Sequence, residues 1–308
     1  MAILALDIGA TKFAAGVVDA AGAVTAVRRA PVPVRGVWDV CRELLVSVAD
    51  GAAVSAIGIG SAGPVDEPAG ITKPLNIPEW RDGFPIVAAV RELFPGAAVR
   101  FAMDGACLAL AEQHSGALHG VRNALAMTVS SGIGGGIIVD GRVSLGRTGN
   151  AGHIGHIVVP GWDVRCACGG VGCVEAVASG MSSARWAREQ GWPGETGAEL
   201  ARAARAGDPI AVSALARAGT ALGQAISSAA ALLDIDTVVI GGGFAHSGEP
   251  LWGPLRVAVD RHAGLGFLRG LRVELSRLDE GATLVGAAVL ACSDTDPFAT
   301  ATSGFPEE

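Results

Sequence analysis

Apolar runs of strand length alternate with segments of helical spacing along most of this chain. Residues 2–8 (AILALDI) are nearly all apolar and read as a buried strand. A turn at Gly9-Ala10-Thr11-Lys12 leads to a second strand in FAAGVVDA, and Ala21-Gly22 turns the chain into a third, AVTAVRRAPV. The same order returns later: ALAMTVS (124–130), a glycine turn at 131–136, then IIVDGRVSLG as strand, tight turn and strand. Two copies of strand, glycine turn, strand and acidic turn, with Gly9 parallel to Gly132 and Asp19 to Asp140, imply two related domains.

Between and after the copies the signals continue to alternate. Helical spacing occurs at 37–50, at 84–95 where Pro95 closes it, near 174–190, at 196–206, at 209–232 and at 281–292. Strands are expected at 54–60, 97–103 and 236–243, and SAGPVDEPAG (61–70) reads as a loop. Asp104 stands at a strand end, where it is expected to cap the helix GACLALAEQH. The tail SDTDPFATATSGFPEE is expected to be loosely ordered. The class is therefore α/β with mainly parallel sheets. The hairpin opening each half is not the doubly wound dinucleotide pattern.

With 308 residues the chain can hold two domains with full cores. Half of it is hydrophobic, which is globular composition. A formal charge of −7 with no basic cluster gives no reason to expect a nucleic-acid partner. No apolar run reaches the length of a membrane helix, and the start lacks a basic leader region. Lys12 and Lys73 are the only lysines, which draws attention to Lys12 in the first turn. Cys41, Cys107 and Cys292 sit in apolar surroundings and read as buried thiols, so a reducing cytoplasm suits the chain.

The other three cysteines lie close together. His156, Cys166, Cys168 and Cys173 fall within eighteen positions and form a complete tetrahedral ligand set for zinc. Four protein ligands leave no open position, so such a zinc would be structural. Incidental clustering and a disulfide are the alternatives; a disulfide would leave one cysteine over. His153 and Glu175 flank the set, and a rigid clip with polar ends suits a hydroxyl-rich ligand.

Three glycine turns follow strands: DIGATK (7–12), SSGIGGG (130–136) and IGGGF (240–244). Glycine lets the backbone approach an anion and aim amide groups at it, so together they could surround a polyphosphate and its nucleoside. A literal GxGxxG at 58–63 leads into Pro64 rather than a helix, which argues against nicotinamide binding. The P-loop and protein-kinase motifs are absent.

Together these motifs resemble the ROK family of sugar kinases and related regulators, from about residue 3 to residue 292. DIGATK and SSGIGGGIIVDG resemble its two phosphate motifs, and GSAGPVDEPAG its sugar-side loop. AGHIGH followed by CACGGVGCVEAVASG resembles its zinc and sugar signature, and DTVVIGGG its nucleoside loop. The resemblance implies an actin-like ATPase (ribonuclease H-like) fold: two α/β domains around an active-site cleft. The division expected is 1–112 plus 281–308 as the small domain, and 113–280 as the large domain carrying the zinc loop. It also implies phosphate transfer from Mg·ATP to a sugar hydroxyl, usually the 6-hydroxyl, by a homodimer or larger assembly. Family regulators carry an added N-terminal DNA-reading segment, for which this sequence leaves no room before its first phosphate strand.

Carried over by position, Asp104 matches the catalytic aspartate, which accepts the sugar hydroxyl proton. The alternative for Asp104 is a plain helix cap. Asp7 is expected to orient Mg²⁺ through water. Gly9, Thr11, Lys12, Ser131, Gly132, Gly134, Gly241 and Gly242 form the nucleotide side. Gly63, Asp104, His153, His156 and Glu175 form the sugar side, with His156 shared between sugar and zinc. Glu175 could instead be a first-turn helix acid, and Lys12 an exposed strand lysine.

Departures bear on the sugar. The family's Asn-Asp-Ala-Asn is Met103-Asp104-Gly105-Ala106 here, and methionine cannot donate the amide hydrogen bond of asparagine. His153 replaces a glutamate usual in family glucokinases, and AGHIGH resembles the N-acetylmannosamine kinases instead. A wall less polar on one side suits an N-acyl group. The expected function is thus an ATP-dependent kinase of a hexose or N-acylhexosamine, the latter slightly favoured. Glucokinase is the alternative, and a sugar-sensing regulator with weak or no catalysis the next.

Overall fold

The computed structural model describes residues 1–278, 281–293 and 298. The first half contains β1 (Ala2–Ile8), β2 (Lys12–Val18), β3 (Val24–Pro31), α1 (Val37–Ala49), β4 (Val54–Ser61), β5 (Val65–Asp66), β6 (Ile71–Thr72), α2 (Ile86–Leu93), β7 (Ala98–Met103) and α3 (Asp104–Ser115). The second contains β8 (Ala124–Val129), β9 (Ile133–Val139), β10 (Arg142–Ser144), α4 (Val174–Ala178), α5 (Gly180–Glu189), α6 (Gly197–Arg205), α7 (Pro209–Leu233), β11 (Thr237–Gly241), α8 (Glu249–His262), β12 (Arg272–Leu275) and α9 (Ala282–Cys292).

The duplication holds at the level of topology. One sheet has the order β3-β2-β1-β4-β7 and the other β10-β9-β8-β11-β12. In both, the first three strands pair antiparallel and the last three parallel. Each sheet is therefore mixed, not mainly parallel. The hairpins that open each half contribute as many pairings as the parallel strands do.

Strand alternation sorts large from small residues. Leu4, Leu6 and Ile8 of β1 enter the core beneath α1, while Ala5 faces the other way. On β8, Leu125, Met127 and Val129 join the core under α4–α8, while Ala124 and Ala126 face α3 and α9. The small residues turn inward, so α3 and α9 lie stacked between the two sheets at backbone contact. A Cβ at Gly58 would overlap the Ala287 carbonyl, one at Gly286 the Cys107 carbonyl, and one at Gly136 the Gly105 carbonyl. The glycines of the GxGxxG at 58–63 thus make close packing possible, as the missing helix after them indicated.

Several local expectations change. The helix near 174–190 breaks at Ser179, whose extended backbone ends α4 and whose hydroxyl caps α5 through Ser182 N–H at 3.2 Å. Asp104 is the first residue of α3, and Met103 holds the cap position. The loop at 61–70 contains the β5–β6 pair. Helix α8 starts next to Pro250 and contains Pro254, so its sequence carries breaker signals. Cys292, at the end of α9, is exposed, not buried. The expectation of a loosely ordered tail falls, apart from Ser293 and Phe298, outside the described residues. Among the described residues no helix is long and apolar enough to cross a membrane.

Candidate active site

Asp7 is the penultimate residue of β1 and Asp104 follows β7, so both sit at the carboxyl ends of parallel strands, where open α/β sheets hold ligands. Asp7 shares the inward face of β1 with Ala5. Burial pushes its carboxyl up to about 7; the charge of Asp104 adds to this, while Lys12 and Arg29 oppose it. Burial likewise raises Asp104 to about 6, against the hydrogen bond from Gly105 N–H at 2.7 Å, with Glu175 raising it further. Each carboxylate thus feels the next across one shared space. Crowded like charges at a strand-end cleft mark a place built to receive a cation or a proton.

Arg29 was not singled out from the sequence. The register Asp7–Ala14–Arg29 across β1, β2 and β3 puts the three side chains on one face. Ala14 is small enough to leave the guanidinium within electrostatic reach of Asp7. The signal that could have found it is the pairing register, which needs the hairpins aligned first.

The sugar-side residues expected from the sequence come together. A Cβ at Gly63 would lie 2.8 Å from His153 Cε1 and 3.1 Å from Met103 Sδ, so these three residues share one wall. His153 Nε2 lies 3.2 Å from Asn150 Oδ1. Burial, then the charge of His156, lowers the His153 pKa. Asn150 was also missed: its amide pairs with both backbone groups of Val65, at 2.9 and 2.6 Å, and so ties the 61–70 segment to the turn before the cysteine loop. Asn76 donates to the Ala10 carbonyl at 2.7 Å and joins a distant loop to the first glycine turn.

Among the residues expected to face the nucleotide, Gly9, Thr11 and Lys12 form the β1–β2 turn, closed by Gly9 N–H to the Lys12 carbonyl at 3.1 Å. The β8–β9 turn repeats it with Ser130 N–H to the Gly132 carbonyl at 2.9 Å, and contains Ser131. Gly242 has φ 92°, and a Cβ there would sit 2.7 Å from the Val129 carbonyl, so this turn is packed against the end of β8. The atoms nearest an added Cβ are side-chain atoms, of Ser276 at 3.3 Å for Gly241 and of Thr128 at 3.6 Å for Gly134. Glu175, in the first turn of α4, reaches the β8–β9 turn by accepting from Ile133 N–H at 2.8 Å.

The ligand atoms of His156, Cys166, Cys168 and Cys173 all lie within 4.8 Å of one another. Cys166 Sγ is 3.8 Å from His156 Nδ1, and Cys168 Sγ is 3.7 Å from Cys173 Sγ. A tetrahedral zinc with bonds of about 2.3 Å gives sulfur separations of about 3.8 Å. A disulfide needs about 2.05 Å. The four residues therefore fit zinc and not a disulfide. Burial raises the Cys166 and Cys173 thiols, and the Gly170 amide lowers that of Cys168.

The sequence model of the ROK family matches residues 3–294. The chain belongs to the ROK family. This ROK protein is 34% identical over 307 residues to the glucokinase of Thermotoga maritima, covering 93% of this chain and 96% of the relative. It is 32% identical over 306 residues to the N-acetylmannosamine kinase of Salmonella heidelberg, covering 96% and 100%. Its fold matches that of a ROK family glucokinase from Streptomyces griseus, solved with glucose and AMPPNP, with a TM-score of 0.82 at 32% identity over 94% and 99% of the two chains. A ROK transcriptional regulator also matches, with a TM-score of 0.81 at 26% identity; the match covers 94% of this chain but 77% of the regulator. The fold is thus the actin-like ATPase architecture shared by these ROK structures.

Proposed function

We propose that this ROK protein is an ATP-dependent sugar kinase that uses Asp104 as its general base. The observation that carries this reading is the place of Asp104. It joins the sugar-side wall of Gly63, Met103 and His153 to the Asp7 cleft, with its pKa pushed up to about 6. A base with a pKa near the working pH can take a hydroxyl proton and lose it again.

In this mechanism Glu175 and His153 hold the sugar hydroxyls while Asp104 accepts the proton of the reacting hydroxyl, the 6-hydroxyl of a hexose. That oxygen bonds to the γ-phosphorus as the bond from phosphorus to the β–γ bridging oxygen breaks, and the electron pair leaves with ADP. Backbone amides of the turns at 9–12, 131–134 and 241–242 face the phosphates, with Lys12 and Arg29 as cations. Asp7 would hold Mg²⁺, which when bound would neutralise phosphate charge. His156 and the three cysteines would hold zinc, which would stiffen the loop that precedes Glu175.

Met103 and His153 favour an N-acylhexosamine over glucose, because one wall loses an amide and a carboxylate. Glucokinase is supported equally by the relatives. A cytoplasmic homodimer, with domains at 1–112 plus 281–308 and 113–280, completes the proposal. The test is ADP release over glucose, mannose, fructose, N-acetylmannosamine and N-acetylglucosamine. Release with at least one sugar is expected; none above background would favour a sugar-sensing regulator, the reading that the regulator's similar fold keeps in view.

A further inference from the structure

Helix α4 carries Glu175 but has only five residues. A helix that short does not hold itself together, because nucleation costs more than its few hydrogen bonds return. Its geometry comes from tertiary contacts: Val174, Ala176, Val177 and Ala178 are buried in the core, and both ends are anchored. The N-terminal anchor is the cysteine loop: Val174 N–H donates to the Ile157 carbonyl at 2.9 Å, and Cys173 bridges to Val158. The C-terminal anchor is Arg217, on the long helix α7. Its Nη1 donates to the Val177 carbonyl at 2.5 Å, two residues past Glu175. The last carbonyls of a helix lack internal partners and carry the negative end of its dipole, so a guanidinium suits that position.

The arginine is itself held in an unusual way. It is half-buried and makes no ion pair among the described residues. Its guanidinium carbon lies 5.8 Å from the ring centre of Trp162 and 5.5 Å from that of Trp186. Trp162 belongs to the cysteine loop and Trp186 to α5. One guanidinium therefore joins the loop, the end of α4, α5 and the core helix α7. A planar cation that both stacks on indoles and donates in a fixed fork can do this; a lysine can do only part of it.

We propose that Arg217 is a positioning residue that, with the cysteine clip, fixes Glu175 from both sides. This rests on the reading of Glu175 as a sugar contact. Removing the guanidinium frees the end of α4 and lets Glu175 drift from the sugar, loosening its bond to Ile133 N–H, while the turns at 9–12 and 241–242 keep their own contacts.

The test compares the full-length wild type with Arg217→Met and Arg217→Lys. Losing the outer-shell partner that orients a metal ligand typically costs about 10–100-fold in affinity or activity, and the same scale is expected for a residue that orients a sugar contact. Arg217→Met is therefore expected to raise the sugar KM by about that factor. The ATP KM should rise less than the sugar KM, because only the turn at 131–134 is bonded to Glu175, and the zinc content should be unchanged. Arg217→Lys should fall between the two. Amide hydrogen exchange gives a readout independent of turnover: residues 174–179 should exchange at least about tenfold faster in Arg217→Met, with α3 and β8 unaffected. An unchanged sugar KM with unchanged exchange at 174–179 would overturn the proposal. So would sugar and ATP KM rising together with faster exchange everywhere, which would mean general loosening. If the wild type phosphorylates no sugar, the kinase reading fails, and the exchange comparison still decides the role of Arg217. If Arg217→Met does not fold, the same two readouts on Arg217→Lys decide it.

Discussion

Glu175 Oε2 accepts the backbone N–H of Ile133 at 2.8 Å, so the acid proposed to contact the sugar is bonded directly to the turn proposed to face the phosphates. A Cβ on the neighbouring Gly132 would lie 2.8 Å from the same oxygen, and the glycine makes room for it. The position of Glu175 and the shape of the β8–β9 turn are thereby linked. Glu175→Gln keeps an acceptor for Ile133 but removes the charge. It should raise the sugar KM by about 10-fold or more, as expected for a lost charge-assisted hydrogen bond of about 1.5–3 kcal/mol. Steady-state kinetics with sugar and ATP varied separately would show whether the ATP KM moves less.

Asp104→Asn should lower kcat by about 10²–10⁴-fold, the usual contribution of a general base. In the wild type, kcat/KM should rise with pH through about 6, because the base acts only when deprotonated. The residual activity of Asp104→Asn should lack that limb. A pH–rate profile from 5 to 9 checks both.

The same carboxylates make stability depend on pH. Asp7 and Asp104 bind a proton more tightly folded than unfolded, their pKa values moving from 3.8 to about 7 and about 6. Between about pH 4 and 7 the native state therefore holds more protons, so stability falls as pH rises through this window and levels off above it. Asp104→Asn should be more resistant to urea than the wild type at pH 8, and the difference should shrink at pH 5. A variant that is equally stable at both would contradict the raised pKa.

Zinc analysis should find about one ion per chain. Removing it with a strong chelator should lower the melting temperature and raise the sugar KM more than the ATP KM, because the clip precedes Glu175 by two residues. Added zinc should reverse both changes. Normal sugar affinity in the metal-free protein would separate the clip from the site.

Glu112 is the only charged side chain that is fully buried among the described residues. Its carboxylate accepts from Ser276 Oγ and, at 2.9 Å, from Ala117 N–H, while Leu278 N–H donates to Ser276 Oγ at 3.1 Å. Both chain passages between the two sheets are thus joined at one carboxylate. Glu112→Ala strands two donors and should cost about 2–4 kcal/mol, with Glu112→Gln costing less. Urea unfolding midpoints measure the difference.

Much of the architecture can be read from the sequence because its signals are local. The two hairpins with Gly9 and Gly132 announce the duplication, since strand runs and turn glycines act within a few residues. The candidate zinc set is legible for the same reason: its four residues lie within eighteen positions, and their donor chemistry suits zinc. The resemblance then places Asp104, Glu175 and the glycine turns. By contrast, Pro250 and Pro254 hide α8, because a helix supported by packing on α7 tolerates what an isolated one would not. The cap assignment for Asp104 fails because strand β7 runs straight into α3, leaving Met103 to make the turn.

From the sequence alone one learns the class, the repeated unit, a candidate metal-binding set and the types of residue available for phosphoryl transfer. Only the tertiary structure decides which of them meet. Gly63, Met103 and His153 form one wall, Arg29 reaches Asp7 over Ala14, Arg217 lies between Trp162 and Trp186, and Glu112 holds Ser276 from 164 positions away. These contacts depend on strand register and on two helices packed at backbone distance between two sheets. Such long-range geometry leaves no periodic trace in the chain.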